Sequence, residues 1–364
     1  MLSEKFGSAL DIFKTKSPSL IGVDIASTSI KLIELSQAGK GTFRLERYAI
    51  EPLPKDTVTD GNIANLDQVS DALKRGWKRL GSRNRNIAMA LPAAMVITKK
   101  IIVPSGQKDD ELELTVEAEA NQYIPFSLDE VALDFCVVGP SSTSAGDVEV
   151  VIAASRKEKV EDRQGLAEAV GLTPVVMDVE TYASRLAASR IIGRLPAGGV
   201  DAVIALFEVG ALTSTLQVMR NDDLIYERDQ VFGGAQLTQM LVRQYGFTLD
   251  EAETKKRAGE LPDDYGPVVL QPFVESLAQE IERALKFFFT STPHHRVDYI
   301  LLAGGTAGLP GLTEVVTRLT SFPCQVVNPF DGMDAGRMVR EKRMLREAPS
   351  YLTACGLAMR RFLR

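Results

Sequence analysis

Cysteine is scarce in this chain: Cys136, Cys324 and Cys355 stand far apart among 364 residues. An odd, dispersed set argues against a disulfide framework and fits a reducing cytosol. Histidine is scarcer still, and His294 and His295 are neighbours after Pro293 in a turn that supplies no wider metal-ligand set. Positive charge is not in excess either. Lys and Arg total 42 against 48 Asp and Glu, a formal charge of -6, which argues against a general nucleic-acid binder while leaving room for a local basic patch.

Long apolar runs are also missing. No stretch approaches the roughly 20 residues a bilayer-spanning helix needs, and Met1 to Lys16 lacks the hydrophobic segment and small-residue cleavage site of a secretory signal. The expectation is a soluble, intracellular chain. Phe6, Leu10 and Phe13, interrupted by Lys5, Asp11, Lys14 and Lys16, could form a short amphipathic helix before Pro18 that touches a membrane or partner, or else a frayed or packed arm. Two phosphate signatures are absent as well: there is no Gly-x-x-x-x-Gly-Lys-Ser/Thr loop and no Gly-x-Gly-x-x-Gly motif. Any phosphate recognition must therefore be distributed.

What is present suits such a distributed site. The run Leu20 to Ile25 carries Asp24, turns through Ala26, Ser27, Thr28 and Ser29, and re-enters an apolar run at Ile30. A similar corner returns at Val203 to Val218 around Glu208, Gly210 and Thr213, with 208 - 24 = 184 residues between the two carboxylates. Internal repetition is the simplest account, and two facing lobes would place both corners beside one cleft. Alternation predicts a three-strand meander from Leu20 to Ile50 and a second one over 202–231. Between them, Asp67 could cap a helix whose buried face carries Val69, Ala72, Leu73 and Trp77. The stretch from about Asn86 to Leu172 reads as a small alpha/beta insert returning to the parent domain. A third corner, Gly304 Gly305 Thr306, follows the strand 297–302 and could let backbone atoms approach an adenosine moiety, or could be an ordinary strand-to-helix turn.

With these residues the chain resembles the actin-like ATPase superfamily, and within it the PilM family of type IV pilus assembly proteins, from about Leu10 onward. The resemblance implies an α/β, two-domain actin-like ATPase (ribonuclease H-like) fold with an inserted FtsA-type 1C subdomain. It divides the chain into an N-terminal arm (1–18), domain I (19–190, with the insert at about 86–172), domain II (191–350) and a C-terminal connecting helix (351–364). The cofactor implied is ATP or ADP with Mg2+. In the first phosphate motif, Asp24 would sit near the metal, and Ser27, Thr28 and Ser29 would offer donors to phosphate oxygens. Lys31 could complement the phosphate charge or simply face solvent. The second motif would bring Glu208 to the metal, with Gly210 and Thr213 beside phosphate. Glu208 replaces a more usual aspartate, and Ala211 and Leu212 replace glycines, so nucleotide binding is favoured while hydrolysis is expected to be weak or absent.

For the nucleoside, the resemblance nominates Gly233, Gly234, Glu253, Lys256, Gly304, Gly305 and Thr306. Glu253 and Lys256 could contact ribose or adenine, or form an ordinary ion pair. Asp178 and Glu180 lie in the first connecting segment, where they could position water or metal or serve a hinge and helix start. Gly356 would permit close packing in the second connecting helix. The partners implied are the N-terminal cytoplasmic peptide of PilN, then PilC and the pilus assembly or retraction ATPases, with indirect association at the inner membrane and self-association also in view. The alternative is an FtsA-like polymerising division or cytoskeletal protein. No catalytic residue is nominated.

Overall fold

The computed structural model describes residues 20–39, 42–221 and 223–362. The stretch around Phe6, Leu10 and Phe13 lies outside them. Strands β1 (Ile21–Ile25), β2 (Ser29–Gly39) and β3 (Thr42–Pro52) form the first antiparallel meander. A short hairpin follows, β4 (Val58–Thr59) with β5 (Asn62–Ile63), then helix α1 (Leu66–Leu80). The cap of α1 is Asn65, not Asp67: the Asn65 side chain accepts the Gln68 N–H at 3.0 Å, and Asp67 falls inside the first turn. Gly81, left-handed, ends the helix.

Strand β6 (Asn86–Leu91) pairs parallel to β1. Next come β7 (Ile97–Pro104), α2 (Asp109–Ala120), β8 (Val131–Pro140) and β9 (Asp147–Arg156), which form a separate sheet in the order β7-β9-β8. Helix α3 (Lys157–Ala169) and strand β10 (Thr173–Val179) lead back, β10 pairing with β6. The small unit is therefore narrower than the 86–172 expected. Strand β6 belongs to the main sheet, and Leu166 and Ala167 of α3 are buried with Val69 and Leu73 of α1 in the main core. The small unit has its own core around Ile101, Val116, Val150 and Ile152.

After α4 (Glu180–Ile192), β11 (Ile204–Val209), β12 (Ser214–Arg220) and β13 (Asp223–Gln230) repeat the meander. Helices α5 (Gly234–Tyr245), α6 (Leu249–Ala258) and α7 (Gln271–Ser291) precede β14 (Tyr299–Ala303), α8 (Leu312–Thr320) and β15 (Cys324–Val326). The chain then runs through β16 (Asp334–Ala335), α9 (Glu341–Glu347) and α10 (Leu352–Met359). The two large sheets have the orders β10-β6-β1-β2-β3-β16 and β13-β12-β11-β14-β15. Strand β16 comes from the second half of the chain but pairs with β3, stitching the halves together.

Helices α4 and α10 lie between the two sheets. One core joins Ile33 and Leu35 of the first sheet, Ala187 and Ile191 of α4, Cys355 and Ala358 of α10, and Leu206 and Leu301 of the second. All eight residues of α10 are buried. The crossing is tight enough to demand glycine: a Cβ on Gly356 would overlap the Ala183 carbonyl, and one on Gly22 would overlap that of Ala354. Among the described residues, no helix is long and apolar enough to cross a membrane.

Candidate functional site

Side chains alternate between the faces of a strand, so the apolar positions decide where the polar ones point. On β1 and β2, Ile21, Val23, Ile25, Ile30 and Leu32 fill the outer core against α1. Asp24 and Lys31 are thereby turned to the inner face, where they are direct cross-strand partners. On and just before β11, Val203, Ala205, Phe207 and Val209 fill the other outer core, and Glu208 is turned inward with Thr215 as its cross-strand partner. Both corners close with the same bond: the Ala26 N–H donates to the Ser29 carbonyl at 3.0 Å, and the Gly210 N–H to that of Thr213 at 2.9 Å.

The inner faces meet around a cluster of carboxylates. Lys31 Nζ lies 2.7 Å from Asp24 Oδ2 with both side chains buried, so the solvent-facing reading of Lys31 is wrong: burial of Ile30 and Leu32 on the outer face forces it inward. Glu208 accepts the Thr353 hydroxyl of α10 at 3.1 Å. Burial, then the negative charge of Asp24, pushes the Glu208 carboxyl up to about 7, with Lys31 and Thr353 opposing. Glu180, at the first turn of α4, is pushed up to about 8 by burial and by Asp24, with Glu208 adding to the rise. The cluster thus holds more carboxyl groups than Lys31 can pair, and Glu180 and Glu208 answer by holding their protons toward neutral pH.

The remaining nominated residues fall into two groups. Ser27 and Thr28 are part-exposed at the tip of the first corner, and neither hydroxyl bonds to another described residue; Ser29 is buried. The glycines, by contrast, form one hub around Gly210. Its carbonyl accepts the Gly234 N–H at 3.0 Å and the Thr306 hydroxyl at 2.9 Å, while Thr306 N–H donates to Val209 and Ala235 N–H to Ala211. The Gly304 N–H is taken by Pro349. A Cβ on Gly233 would press on the Gly210 and Ala211 carbonyls, whereas Gly305 faces open space. Close backbone approach, not free N–H donors, is what most of these glycines supply. Thr213 is exposed.

Glu253 and Lys256 on α6 pair with each other at 2.5 Å and share Thr238 of α5, with Arg257 also on Glu253. They latch α5 to α6, which is the ion-pair reading of that spacing. Burial alone would raise the Glu253 carboxyl, but Lys256 and Arg257 together hold it below its ordinary value. Asp178 takes the Arg360 guanidinium through both oxygens, tying β10 to the turn after α10. That is a structural tie rather than a metal ligand.

Three contributors escaped the sequence. Thr353 had a signal, being a hydroxyl inside the apolar run Leu352 to Ala358. Gln217 of β12, buried, donates to Ser184 of α4 at 3.0 Å and so joins the second sheet to α4. Arg163 of α3, buried, donates to the Gly61 carbonyl and feels the charges of Glu180 and Asp24. Nothing in the sequence marked either of these.

The fit of a divalent cation follows from this donor set. Among the described residues no three His, Cys, Asp or Glu side chains converge as a metal-binding group. A hard cation here would need water and phosphate oxygens to complete its shell, as Mg2+ commonly does. The surplus of carboxylates fits such an ion. It would be held mostly by what it arrives with.

A family model described as type IV pilus assembly protein PilM matches residues 22–362. Among solved structures, the chain is similar to a PilM-PilN type IV pilus biogenesis complex, with a TM-score of 0.77 and 27% identity over 95% of this chain and 99% of that one. It is similar in fold alone to the ethanolamine utilization protein EutJ from Carboxydothermus hydrogenoformans, with a TM-score of 0.57 and 17% identity over 94% and 90%. The architecture is the two-domain actin-like fold. Matched over nearly its whole length, the chain belongs to the PilM family of type IV pilus assembly proteins.

Proposed function

We propose that this chain binds ATP or ADP with Mg2+ between its two corners and, in that state, holds the N-terminal tail of PilN at the inner membrane and couples it to PilC and the pilus motor ATPases. The observation that carries the nucleotide reading is the mutual electrostatic proximity of Asp24, Glu180 and Glu208, brought together from three different segments, with Ser27 and Thr28 hydroxyls at the tip of the first corner that bond to no other described residue. Those hydroxyls would donate to phosphate oxygens, and Lys31 would bring positive charge to them. Asp24 and Glu208 would hold Mg2+ through water, and the ion would supply neutralisation of the phosphate charge.

Hydrolysis needs attacking water fixed in a narrow geometry. The second corner has Ala211 and exposed Leu212 at its tip, which favours binding over turnover. The partner reading is supported by the family and by a relative solved with PilN that aligns over 95% of this chain. Calorimetric titration with a synthetic peptide of the N-terminal tail of PilN from the same cell, with and without Mg-ATP, tests both halves. One-to-one saturable binding that shifts with nucleotide is expected. Absence of peptide binding in either state would reject the adaptor reading, and absence of ATP heat would reject the cleft.

A further inference from the structure

In a chain of net charge -6, one stretch is free of acid: from Ala72 to Lys108 there are nine Lys or Arg and no Asp or Glu. The fold gathers six of them on one surface, Lys74, Arg75, Lys78 and Arg79 on the second half of α1 and Arg83 and Arg85 in the loop to β6, all exposed. Little acid answers them. Glu51 takes Arg75 at 2.7 Å and Arg79 at 3.0 Å, Asp71 reaches Lys74 at 3.5 Å, and Arg85 donates to the Gly171 carbonyl. Lys78 and Arg83 have no hydrogen bond or ion pair to any described residue. Cations in the last turn of a helix do complement its dipole, which would account for Lys78 and Arg79. Arg83 and Arg85 lie past the Gly81 cap and have no such role.

The position of the surface gives it a direction. Strand β1 runs parallel to β6 with Ile21 opposite Ile87, so the loop carrying Arg83 and Arg85 lies at the edge where β1 begins, and Asp24 of the cleft lies at the other end. Residues 1–19 join the fold at this same edge, and they carry Lys5, Lys14 and Lys16 among Phe6, Leu10 and Phe13. We propose that this face docks directly on anionic lipid headgroups, with the cleft turned away from the membrane. A polynucleotide would use the same cations, but Trp77, the aromatic within the patch, packs on the core and leaves no free ring for base stacking. Each Lys or Arg held near an anionic bilayer is worth on the order of fivefold in partitioning, an effect confined to about a Debye length of ~10 Å at 0.1 M salt.

The test is cosedimentation of the full chain with phosphatidylcholine vesicles, with and without phosphatidylglycerol. Binding is expected only when phosphatidylglycerol is present, and it should weaken as salt rises. K78Q/R83Q should lower the partition coefficient about 25-fold while thermal unfolding falls only by the small amount that the loss of Lys78 from the last turn of α1 brings, since neither residue has a described side-chain partner, and K78R/R83K should retain binding. Partitioning that ignores phosphatidylglycerol, or that survives K78Q/R83Q while F6S/F13S abolishes it, overturns the docking face. So does a chain that ignores vesicles yet binds single-stranded DNA through the same two residues.

Discussion

Position 31 is lysine and position 215 is threonine, and both sit directly across the hairpin from the carboxylate of their corner, Asp24 in one lobe and Glu208 in the other. The backbones match at a constant offset: 184 residues carry Asp24 to Glu208, the Ala26–Ser29 turn bond to Gly210–Thr213, and Lys31 to Thr215. The electrostatics do not match. Asp24 is answered inside its own hairpin, whereas Glu208 is answered by a hydroxyl from α10, 145 residues away in the chain. One lobe therefore carries a built-in ion pair, and the other carries a carboxyl with no cation across its own hairpin. A duplicated scaffold can keep its geometry while one side-chain change decides which half responds.

Removing the first lobe's cation should have the largest effect. Lys31→Met leaves Asp24 buried and unanswered beside two other acids, and breaking a buried pair from one side costs about 3–5 kcal/mol. Urea unfolding at pH 7 reads that loss, and D24N/K31M should recover most of it. A loss below about 1 kcal/mol would mean that cleft water already solvates Asp24. The two corners would then differ in sequence but not in energetics.

The second lobe should show itself in the pH dependence. Glu180 and Glu208 titrate at about 8 and about 7 in the folded protein, above the ordinary 4.5, so both hold their protons more tightly folded than unfolded. Their contribution to stability is complete below about 4.5 and is lost as pH rises through about 7 and then 8. Unfolding curves across that window should slope downward, and E180Q and E208Q should each flatten part of the slope. Thr215→Lys would give the second corner the first corner's lysine and draw Glu208 downward, although Asp229, opposite residue 215 on β13, competes for the new charge. An unchanged slope in T215K would show that burial, not the missing cation, sets the difference.

Thr353→Val removes the hydroxyl that, among the described residues, answers Glu208. A loss of about 1 kcal/mol is expected for the hydrogen bond, together with a further rise of the Glu208 carboxyl, because Thr353 opposes that rise. Chemical-shift titration of Glu208 in both proteins would check the direction. Equal titration would assign the hydroxyl to α10 packing alone.

How far these features could be read from sequence depended on whether they were local. Both meanders and the two corners follow from alternation and turn residues, all visible locally in the sequence, whereas the glycine-dependent crossing at Gly356 follows only from the family resemblance. The burial of Lys31 was not visible, because a strand lysine next to an aspartate looks the same whether its face meets solvent or a second sheet. Glu180 is raised by burial and then by Asp24 and Glu208, all of which arise only when segments far apart in sequence fold together. The sequence pattern over 86–172 extends past the small unit because β6 and α3 have an ordinary alpha/beta pattern. Only their partners, β1 and α1, assign them to the main domain.

The smallest effect is expected at Lys256, and it bears on whether the second lobe recognises nucleotide by more than shape. Lys256 and Glu253 already satisfy each other and Thr238, and both side chains are partly open to solvent. Lys256→Met should therefore cost about 0.2–1 kcal/mol of stability, the range for such pairs, and lower ATP affinity by at most about fivefold. Thermal unfolding and calorimetric titration with Mg-ATP measure the two quantities on the same sample. If affinity falls a hundredfold while stability holds, Lys256 touches the nucleoside directly. Binding strength would then lie in the lobe without the built-in ion pair, and the first corner would serve mainly to hold Asp24 in place.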